Sequence, residues 1–279
     1  NMAGAGKAGA QMVDTVWLTK RGNFGIRSDN LLNERHEKYN GTGEVSTPTY
    51  WYNFSKEKDT KKHDLKGMRR EGNITIHSHF GDPLLMVNIS LPKMLHSHSL
   101  AETAPADFDR CADGIYDRLS FAGIDIDRSS IPEMNVARID YCRNIPVDGN
   151  IADYVYLLAS CDMKRATPDH KKEKGTVLFK NSCWQFSAYN KIREIKQDAK
   201  QRYAAHIDSD TPERMLRFEC RLMRGANIKR ILKRRTFAEC FDAKLSRRML
   251  LDKFDSLKVD LAAQQKINNS ELAFLFANY

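Results

Sequence analysis

WQFSAYNKIRE, residues 184–194, is a run in which apolar and polar side chains alternate as far as Tyr189. Successive side chains of a strand point to opposite faces of its sheet. Phe186 and Ala188 are therefore expected on one face. The other face collects Gln185, Ser187, Tyr189 and Lys191. Glu194 falls at an odd offset from Tyr189, so a bulge or a helix start must turn it back if it is to join that face.

Two further strand-like runs, residues 136–142 and 217–223, each carry one carboxylate on their polar face. In the first run Arg138 and Asp140 share a face. In the second run Glu219 lies between Arg217 and Arg221. Arginines and carboxylates that alternate in this way are also what solvated cross-strand ion pairs produce. The pattern alone therefore leaves both a structural and a catalytic interpretation open.

A tyrosine beside carboxylates that hold a divalent metal is the arrangement that phosphodiester cleavage by transesterification requires. Tyr189 would be the nucleophile, and Asp140, Glu194 and Glu219 would be the metal ligands. Oxygen ligands of this kind favour Mg²⁺ or Mn²⁺. The alternative for Tyr189 is a packed strand tyrosine, since the chain has 10 tyrosines.

The order of elements predicts an α+β fold with a mainly antiparallel, curved β-sheet, helices packed on one face and a helical C-terminal region. Strands are predicted at residues 13–20, 50–54, 73–80, 84–91, 136–142, 176–179, 184–191 and 217–223, and helices at 107–122, 151–160 and 192–205. After Gly225 only helical spacing remains. We expect a tag or disordered tail at 1–11, a catalytic domain at 12–225 and a basic helical region at 226–279.

Composition indicates a globular protein that can bury a core, because 41% of the 279 residues are hydrophobic and 29% are charged. No run approaches the roughly 18 apolar residues that a membrane span needs. The six cysteines form no Cys-x-x-Cys pair, which favours reduced thiols in a cytoplasmic protein over a zinc site.

A net charge of +9 favours an acidic partner, of which nucleic acid is the commonest. Two segments concentrate the cations. The first lies in residues 56–70 and includes Lys61, Lys62, Arg69 and Arg70. The second begins with Arg217 and Arg221 and continues through a predicted basic helix with Lys229, Arg230, Lys233, Arg234 and Arg235. A solvated helix face is the alternative for the second segment.

Three runs in a fixed order carry a family resemblance: Arg138-Ile139-Asp140, Ala188-Tyr189-Asn190-Lys191 with Glu194, and Arg217-Phe218-Glu219. They resemble the gene II replication proteins of filamentous phages and the related rolling-circle plasmid initiators of the Rep_trans type. Residues 12–16, MVDTV, and 87–95, VNISLPKML, are similar to the gene II proteins as well. The chain is shorter than those phage proteins, and Asn88 stands where a glutamate is expected.

The resemblance implies a rolling-circle initiator that nicks one strand of origin DNA. Tyr189 would form a 5′-phosphotyrosine link and leave a free 3′-hydroxyl, and Lys191 would lower the phenol pKa or stabilise the transition state. Arg138 and Arg217 would pair with the carboxylates or contact phosphate. Origin DNA, a host helicase and a second copy of the chain are the implied partners, in the cytoplasm of a bacterial host.

Three rival interpretations remain. His77-Ser78-His79 places two imidazoles on one strand face, where they could bind a metal as the His-apolar-His strand of other rolling-circle nickases does, although its middle residue is Ser. His96-Ser97-His98 follows Pro92 and is predicted as a loop. A non-enzymatic repressor or origin-binding protein would use the basic segments alone. A metal nuclease that activates water would cut DNA without forming a covalent adduct.

Overall fold

The structure, a computed structural model, describes residues 12–26, 33–35, 49–53, 72–77, 83–96, 98–169, 175–199 and 214–258. Its strands are β1 (Met12–Arg21), β2 (Gly25–Ile26), β3 (Asn33–Arg35), β4 (Thr49–Asn53), β5 (Gly72–His77), β6 (Leu84–Ser90), β7 (Ile124–Asp125), β8 (Asn135–Pro146), β9 (Asp162–Met163), β10 (Thr167–Pro168), β11 (Thr176–Lys180), β12 (Trp184–Asn190), β13 (Met215–Met223) and β14 (Leu257–Lys258).

The helices are α1 (Leu91–His96), α2 (Phe108–Phe121), α3 (Ser130–Glu133), α4 (Ile151–Ala159), α5 (Lys191–Ala199), α6 (Gly225–Leu232), α7 (Phe237–Cys240) and α8 (Ala243–Asp255). A single 3₁₀ turn, Pro105–Asp107, precedes α2. Among the helices that the structure describes, none has both the length and the apolar character that a bilayer span requires.

Ten strands form one sheet in the order β10-β11-β12-β13-β8-β1-β6-β5-β4-β3. Each neighbouring pair in this sheet is antiparallel. The predicted α+β class with a mainly antiparallel sheet is therefore confirmed. The order also makes β12, β13 and β8 neighbours, which brings together the three strands that carry the candidate site residues.

The apolar face of the sheet holds the main core. Phe186 and Phe218 stack with ring centroids 6.1 Å apart, and Phe254 of α8 meets Phe218 edge-on at 6.0 Å. The Tyr141 hydroxyl donates to the backbone carbonyl of Cys240 in α7 at 2.9 Å. These contacts keep the apolar halves of β8, β12 and β13 under helices and leave their charged halves on the opposite face.

Helices after Gly225 belong to the same core as the sheet. Ile228, Phe237 and Leu245 are buried within the main hydrophobic cluster. The helix starts are capped locally: the Thr236 and Glu239 side chains form a capping box on α7, and Asp242 accepts from the Leu245 N–H at 3.0 Å. The predicted boundary at 225/226 therefore does not separate two cores. The expectation of helices only beyond it is wrong at β14, which pairs with β9.

A β-bulge in β1 shapes the polar face. Val13 pairs with Tyr141 and Thr15 with Asp140, so Asp14 is an extra residue without a partner on β8. Val13 and Val16 are both buried. Asp14 and Thr15 consequently lie together on the polar side, where a regular strand would have sent one of them into the core.

The strand β12 ends one residue earlier than predicted. Lys191 is the first residue of α5 rather than the last residue of the strand. Because α5 starts at Lys191, Glu194 lies one helical turn further on and faces Lys191. Lys191 Nζ is 2.7 Å from Glu194 Oε2. Ile192 and Ile195 of α5 are buried but stand apart from the main hydrophobic cluster, and the helix contacts β12 and β13.

A candidate active site on the polar face

Tyr189 lies at the end of β12, directly opposite Arg217 of β13. Its phenolic hydroxyl donates to Oε2 of Glu219 at 3.4 Å, a long hydrogen bond. Because residues two apart share a strand face, Arg217 and Glu219 both meet the tyrosine from the same side. The structure thus joins the predicted nucleophile to one predicted carboxylate.

The phenol is in an environment that holds its proton. Burial raises the pKa of Tyr189 well above its ordinary value, the Arg217 guanidinium opposes this rise, and the carboxylates of Glu219 and Glu194 add to it. The sequence predicted Lys191 as the group that lowers this pKa. In the structure the opposing cation is Arg217, while Lys191 Nζ lies 5.9 Å from the centre of the Tyr189 ring.

Glu219 is buried between a tyrosine and an arginine. Its Oε1 accepts from Arg221 Nη2 at 3.0 Å, while Oε2 faces the phenol. Burial raises the pKa of Glu219, and the negative charge of Asp140 raises it further, against the opposing charges of Arg221 and Arg217. A carboxylate with a raised pKa next to a phenol is better suited to accept a proton than an ordinary glutamate.

Arg217 is fully buried and pairs with Asp14, which the sequence interpretation did not include in the site. Arg217 Nη2 lies 2.9 Å from Asp14 Oδ1, and Nη1 donates to the backbone carbonyl of Ser99 at 3.0 Å. Burial by itself would raise the pKa of Asp14, but Arg217, Lys191 and Lys93 together bring it below its ordinary value. The signal in the sequence was the break in apolar alternation between Val13 and Val16.

Glu102 anchors the loop after α1 to β8, next to the Arg217–Asp14 ion pair. The Asn144 N–H donates to Glu102 Oε1, and Arg143 Nη1 lies 2.9 Å from Glu102 Oε2. Burial raises the pKa of Glu102. These contacts fix the loop whose Ser99 carbonyl receives Arg217, so a segment remote in sequence holds the arginine in place.

Asp140 is held by two arginines. Arg138 Nε donates to its Oδ1 at 2.8 Å, and Arg221 Nε lies 3.1 Å from both of its oxygens. The side chain is 1% exposed. The prediction that Arg138 pairs with a carboxylate agrees with this geometry. Asp140 therefore connects to Glu219, and so to Tyr189, through Arg221.

Lys191 is buried although it carries an amino group. Burial lowers its pKa, Arg217 lowers it further, and Glu194 opposes the shift. Glu194 is thus engaged with Lys191 at the start of α5.

The three predicted metal ligands do not meet at one point. Asp140 is paired with Arg138 and Arg221, Glu194 with Lys191, and Glu219 with Arg221. Within the described ranges no group of three His, Cys, Asp or Glu side chains converges. Asp140 fits a cation poorly, because both of its oxygens already accept from guanidinium groups. Metal binding by this set stays a prediction.

The histidine runs give no such group either, as far as the described residues extend. His98 Nδ1 accepts from the Leu100 N–H at 3.2 Å, and the rings of His96 and His98 lie 6.2 Å apart. The backbone of His77 ends β5, opposite Leu84, whereas His79 lies outside the described residues.

The basic segment after β13 is exposed. Six cations on and beside α6 are on the surface: Arg224, Lys229, Arg230, Lys233, Arg234 and Arg235. None of the six forms a salt bridge in the part of the chain that the structure describes, and Arg230 contacts the Cys183 sulfur at 3.4 Å. Lys61, Lys62, Arg69 and Arg70 lie outside the described residues.

Comparison with known proteins identifies a family for most of the chain. A family model for the N-terminal part of the gene II protein, a replication-associated phage protein, covers residues 21–239. No curated protein and no solved structure matches the chain. The match includes Tyr189, Asp140 and Glu219, whereas Asp14 and Trp17 precede it. The predicted kinship with the gene II proteins of filamentous phages is confirmed, and the relation to Rep_trans initiators stays a prediction. The chain belongs to the family of replication-associated proteins whose N-terminal part this model describes.

Proposed function

We propose that this chain nicks one strand of a replication origin by transesterification, with Tyr189 as nucleophile and Glu219 as its base. The observation that carries the proposal is the contact between the Tyr189 hydroxyl and Glu219 Oε2 at 3.4 Å, beside the buried Arg217. Membership of a replication-associated family supports DNA as the substrate.

The step balances without an oxidant or reductant. The phenolic oxygen of Tyr189 attacks the scissile phosphorus, and its proton passes to Glu219 Oε2. A bond forms between phosphorus and the phenolic oxygen, and the bond between phosphorus and the 3′-oxygen breaks. The 3′-oxygen leaves with a proton from solvent as a free hydroxyl. Because one phosphodiester replaces another, the reverse reaction rejoins the strand without ATP.

Arg217 supplies the positive charge in this scheme. It lies opposite Tyr189, with its Nε 4.0 Å from Glu219 Oε2. The guanidinium stabilises negative charge that develops on the phenolic oxygen as the proton leaves, which offsets the raised pKa of Tyr189. Burial strengthens this effect, since the local dielectric constant is low.

The test uses labelled single-stranded origin DNA with Mn²⁺ and detects adducts that survive denaturation. The wild type is expected to form the adduct and Tyr189→Phe to form none. Tyr156→Phe, an exposed tyrosine on α4, serves as the matched control and is expected to react normally. DNA that is bound but never cut would support a non-enzymatic binding protein. Cleavage without adduct would indicate a nuclease that uses water.

The role of Glu219 has a separate test. Glu219→Gln keeps the size of the side chain but removes the base, so the rate of adduct formation is expected to fall by roughly 10²- to 10⁴-fold. Glu133→Gln, exposed on α3, is the control. An unchanged rate in Glu219→Gln would remove this residue from the proton transfer.

Dependence on Mg²⁺ or Mn²⁺ is a proposal of its own, because such ions polarise a scissile phosphate when they are bound. We expect a chelator to stop adduct formation and added Mn²⁺ to restore it. If carboxylates of the site bind the ion, Glu219→Gln and Glu194→Gln require a higher Mn²⁺ concentration for half-maximal binding in a titration without DNA. Adduct formation in the chelator would show that the protein's own cations suffice.

Contacts with the rest of the DNA are proposed for the six exposed cations of α6 and its flanks. A helicase, a second copy of the chain and action in the bacterial cytoplasm complete the proposal. Light scattering with and without origin DNA measures the oligomeric state, and a pull-down from host extract with DNA-bound protein tests for a helicase.

A further inference from the structure

An unbroken series of side-chain contacts crosses the polar face from Tyr189 to Trp17. The phenol contacts Glu219, and Glu219 pairs with Arg221 at 3.0 Å. Arg221 pairs with Asp140, and Asp140 with Arg138. The series then ends where the Arg138 guanidinium lies over the indole of Trp17, 5.3 Å from the ring centre. It crosses β12, β13, β8 and β1 in turn.

Trp17 stands on the polar face in a setting unlike that of a core tryptophan. It pairs with Arg138 on one side and Asn88 on the other, and Asn88 pairs with Asn73 of β5. The neighbours Val16 and Leu18 are fully buried in the core, whereas Trp17 is half-buried. Its Nε1–H finds no acceptor in the described part of the chain. A buried indole N–H normally has one.

Arg138 is held in place from its far edge. Its Nε and Nη2 both bond to Asp140, so the guanidinium plane is fixed against the indole by a two-pronged ion pair. A nucleobase is chemically complementary to this arrangement, in which a planar cation lies behind an aromatic ring and amide side chains flank it. The ring and the guanidinium offer stacking surfaces, and the amides offer donors and acceptors to the base edge.

We propose that Trp17, backed by Arg138, stacks against one nucleobase of the single strand that Tyr189 cuts, and that Asn88 bonds to the edge of that base. The inference rests on the proposed function for the identity of the ligand. Along β8 the position opposite Trp17 is six residues from the one opposite Arg217, the partner of Tyr189. At about 3.3 Å per residue and about 4.8 Å per strand, Trp17 and Tyr189 lie roughly 24 Å apart. The contacted base is therefore a few nucleotides away from the scissile phosphate.

The test measures binding of uncut single-stranded origin oligonucleotides to proteins that carry Tyr189→Phe, so that nicking plays no part. An abasic site is placed at each position in turn. At one position, a few nucleotides from the nick, loss of the base is expected to weaken binding by about 5- to 100-fold. With Trp17→Ala added, the same abasic site is expected to change the affinity by less than about 2-fold.

Trp184→Phe, on the core face of the sheet, is the matched control and should retain the full abasic penalty. Trp17→Phe keeps a ring and should keep part of it. The proposal is overturned if, at every position, an abasic site weakens binding equally in the protein with Trp17 and in the Trp17→Ala variant.

Fluorescence gives a second measurement: with Trp51→Phe and Trp184→Phe, Trp17 is the only tryptophan. Its emission should be quenched by the oligonucleotide, and unchanged emission counts against stacking. If Trp17→Ala removes the abasic penalty but the wild type forms no adduct with the DNA, the stacking proposal stands and only the proposed nicking is refuted.

Discussion

The Nη2 atom of Arg217 lies 2.9 Å from Oδ1 of Asp14, and the pair reaches across β8, the strand between β13 and β1. Both side chains are largely removed from solvent, with 0% of the arginine and 15% of the aspartate exposed. The pair thus ties the first strand of the sheet to the strand that faces the tyrosine.

Loss of the Asp14 charge should destabilise the fold. Asp14→Asn leaves Arg217 as a buried cation with a weaker partner, and the free energy of unfolding is expected to fall by about 3 kcal/mol, as for other broken buried pairs. Urea unfolding followed by circular dichroism measures this. Asp113→Asn breaks the exposed pair with Arg128 and should cost less than about 1 kcal/mol. Equal losses in both variants would mean that the buried pair has no special role.

The same aspartate should shape stability in acid. Its folded pKa lies below the ordinary value of 3.8, so its contribution is present above that pH and is lost as the pH falls through the folded pKa. Glu219 acts in the opposite sense: its folded pKa is raised above 4.5, so its contribution declines as pH rises through the folded value. Below pH 4 the wild type should lose more stability than Asp14→Asn. If the free energy of unfolding, measured with urea, falls equally in the two proteins below pH 4, Asp14 does not have a lowered pKa in the folded protein.

Asp140 should tune the pH dependence of nicking. If Glu219 must be deprotonated to accept the phenol proton, the rate of adduct formation rises with pH through its raised pKa. Asp140→Asn removes a negative charge that raises this pKa and that shares Arg221 with Glu219. The acid limb of the single-turnover rate is therefore expected to move to lower pH. Asp109→Asn, exposed on α2, should leave the limb in place. A shift toward higher pH in Asp140→Asn would exclude Glu219 as the base.

The exposed cations of α6 should govern the salt dependence of DNA binding. Removing three of them, Lys229→Ala with Arg230→Ala and Lys233→Ala, should reduce the slope of log K against log salt by about 0.7–0.9 per charge. Fluorescence anisotropy at several salt concentrations gives the slope. Lys244→Ala, exposed on α8, is the control and should leave it unchanged. An unaltered slope in the triple variant would assign the phosphate contacts to another part of the chain.

Local alternation in the sequence was enough to predict the polar and apolar halves of β12 and β13, because each side chain's face depends only on its neighbours. Adjacency of β12, β13 and β8 depends on long-range pairing, which periodicity does not encode. The start of α5 at Lys191 was missed because Asn190 and Lys191 are both polar, so the pattern of side chains marks no boundary between strand and helix there. Asp14 was missed as a site residue because a bulge changes the face of a residue without changing its type.

Residue identity also left the partners of the charges undetermined. The sequence could place Asp140 and Glu219 on polar faces, yet the same pattern suits a metal site and a network of arginine pairs. The register of Arg221 opposite Asp140 selects the network in this structure. The apolar halves of these strands pack against α7 and α8, on the face away from the charges.

The bulge at Asp14 has a consequence for tracing this architecture in distant chains. Asp14 and Thr15 together occupy one step of the strand opposite β8, and the Thr15 hydroxyl donates to Asp14 Oδ2 at 3.2 Å. A deletion of either polar residue there would restore regular alternation and keep Val13 and Val16 on the core face. Loss of Asp14 removes the carboxylate, whereas loss of Thr15 keeps it, and either deletion shifts the numbering of everything before it by one residue. The carboxylate is therefore located by a local pattern at the start of the first strand: one apolar residue, two polar residues and one apolar residue. This pattern finds it even where an ungapped alignment would misplace it.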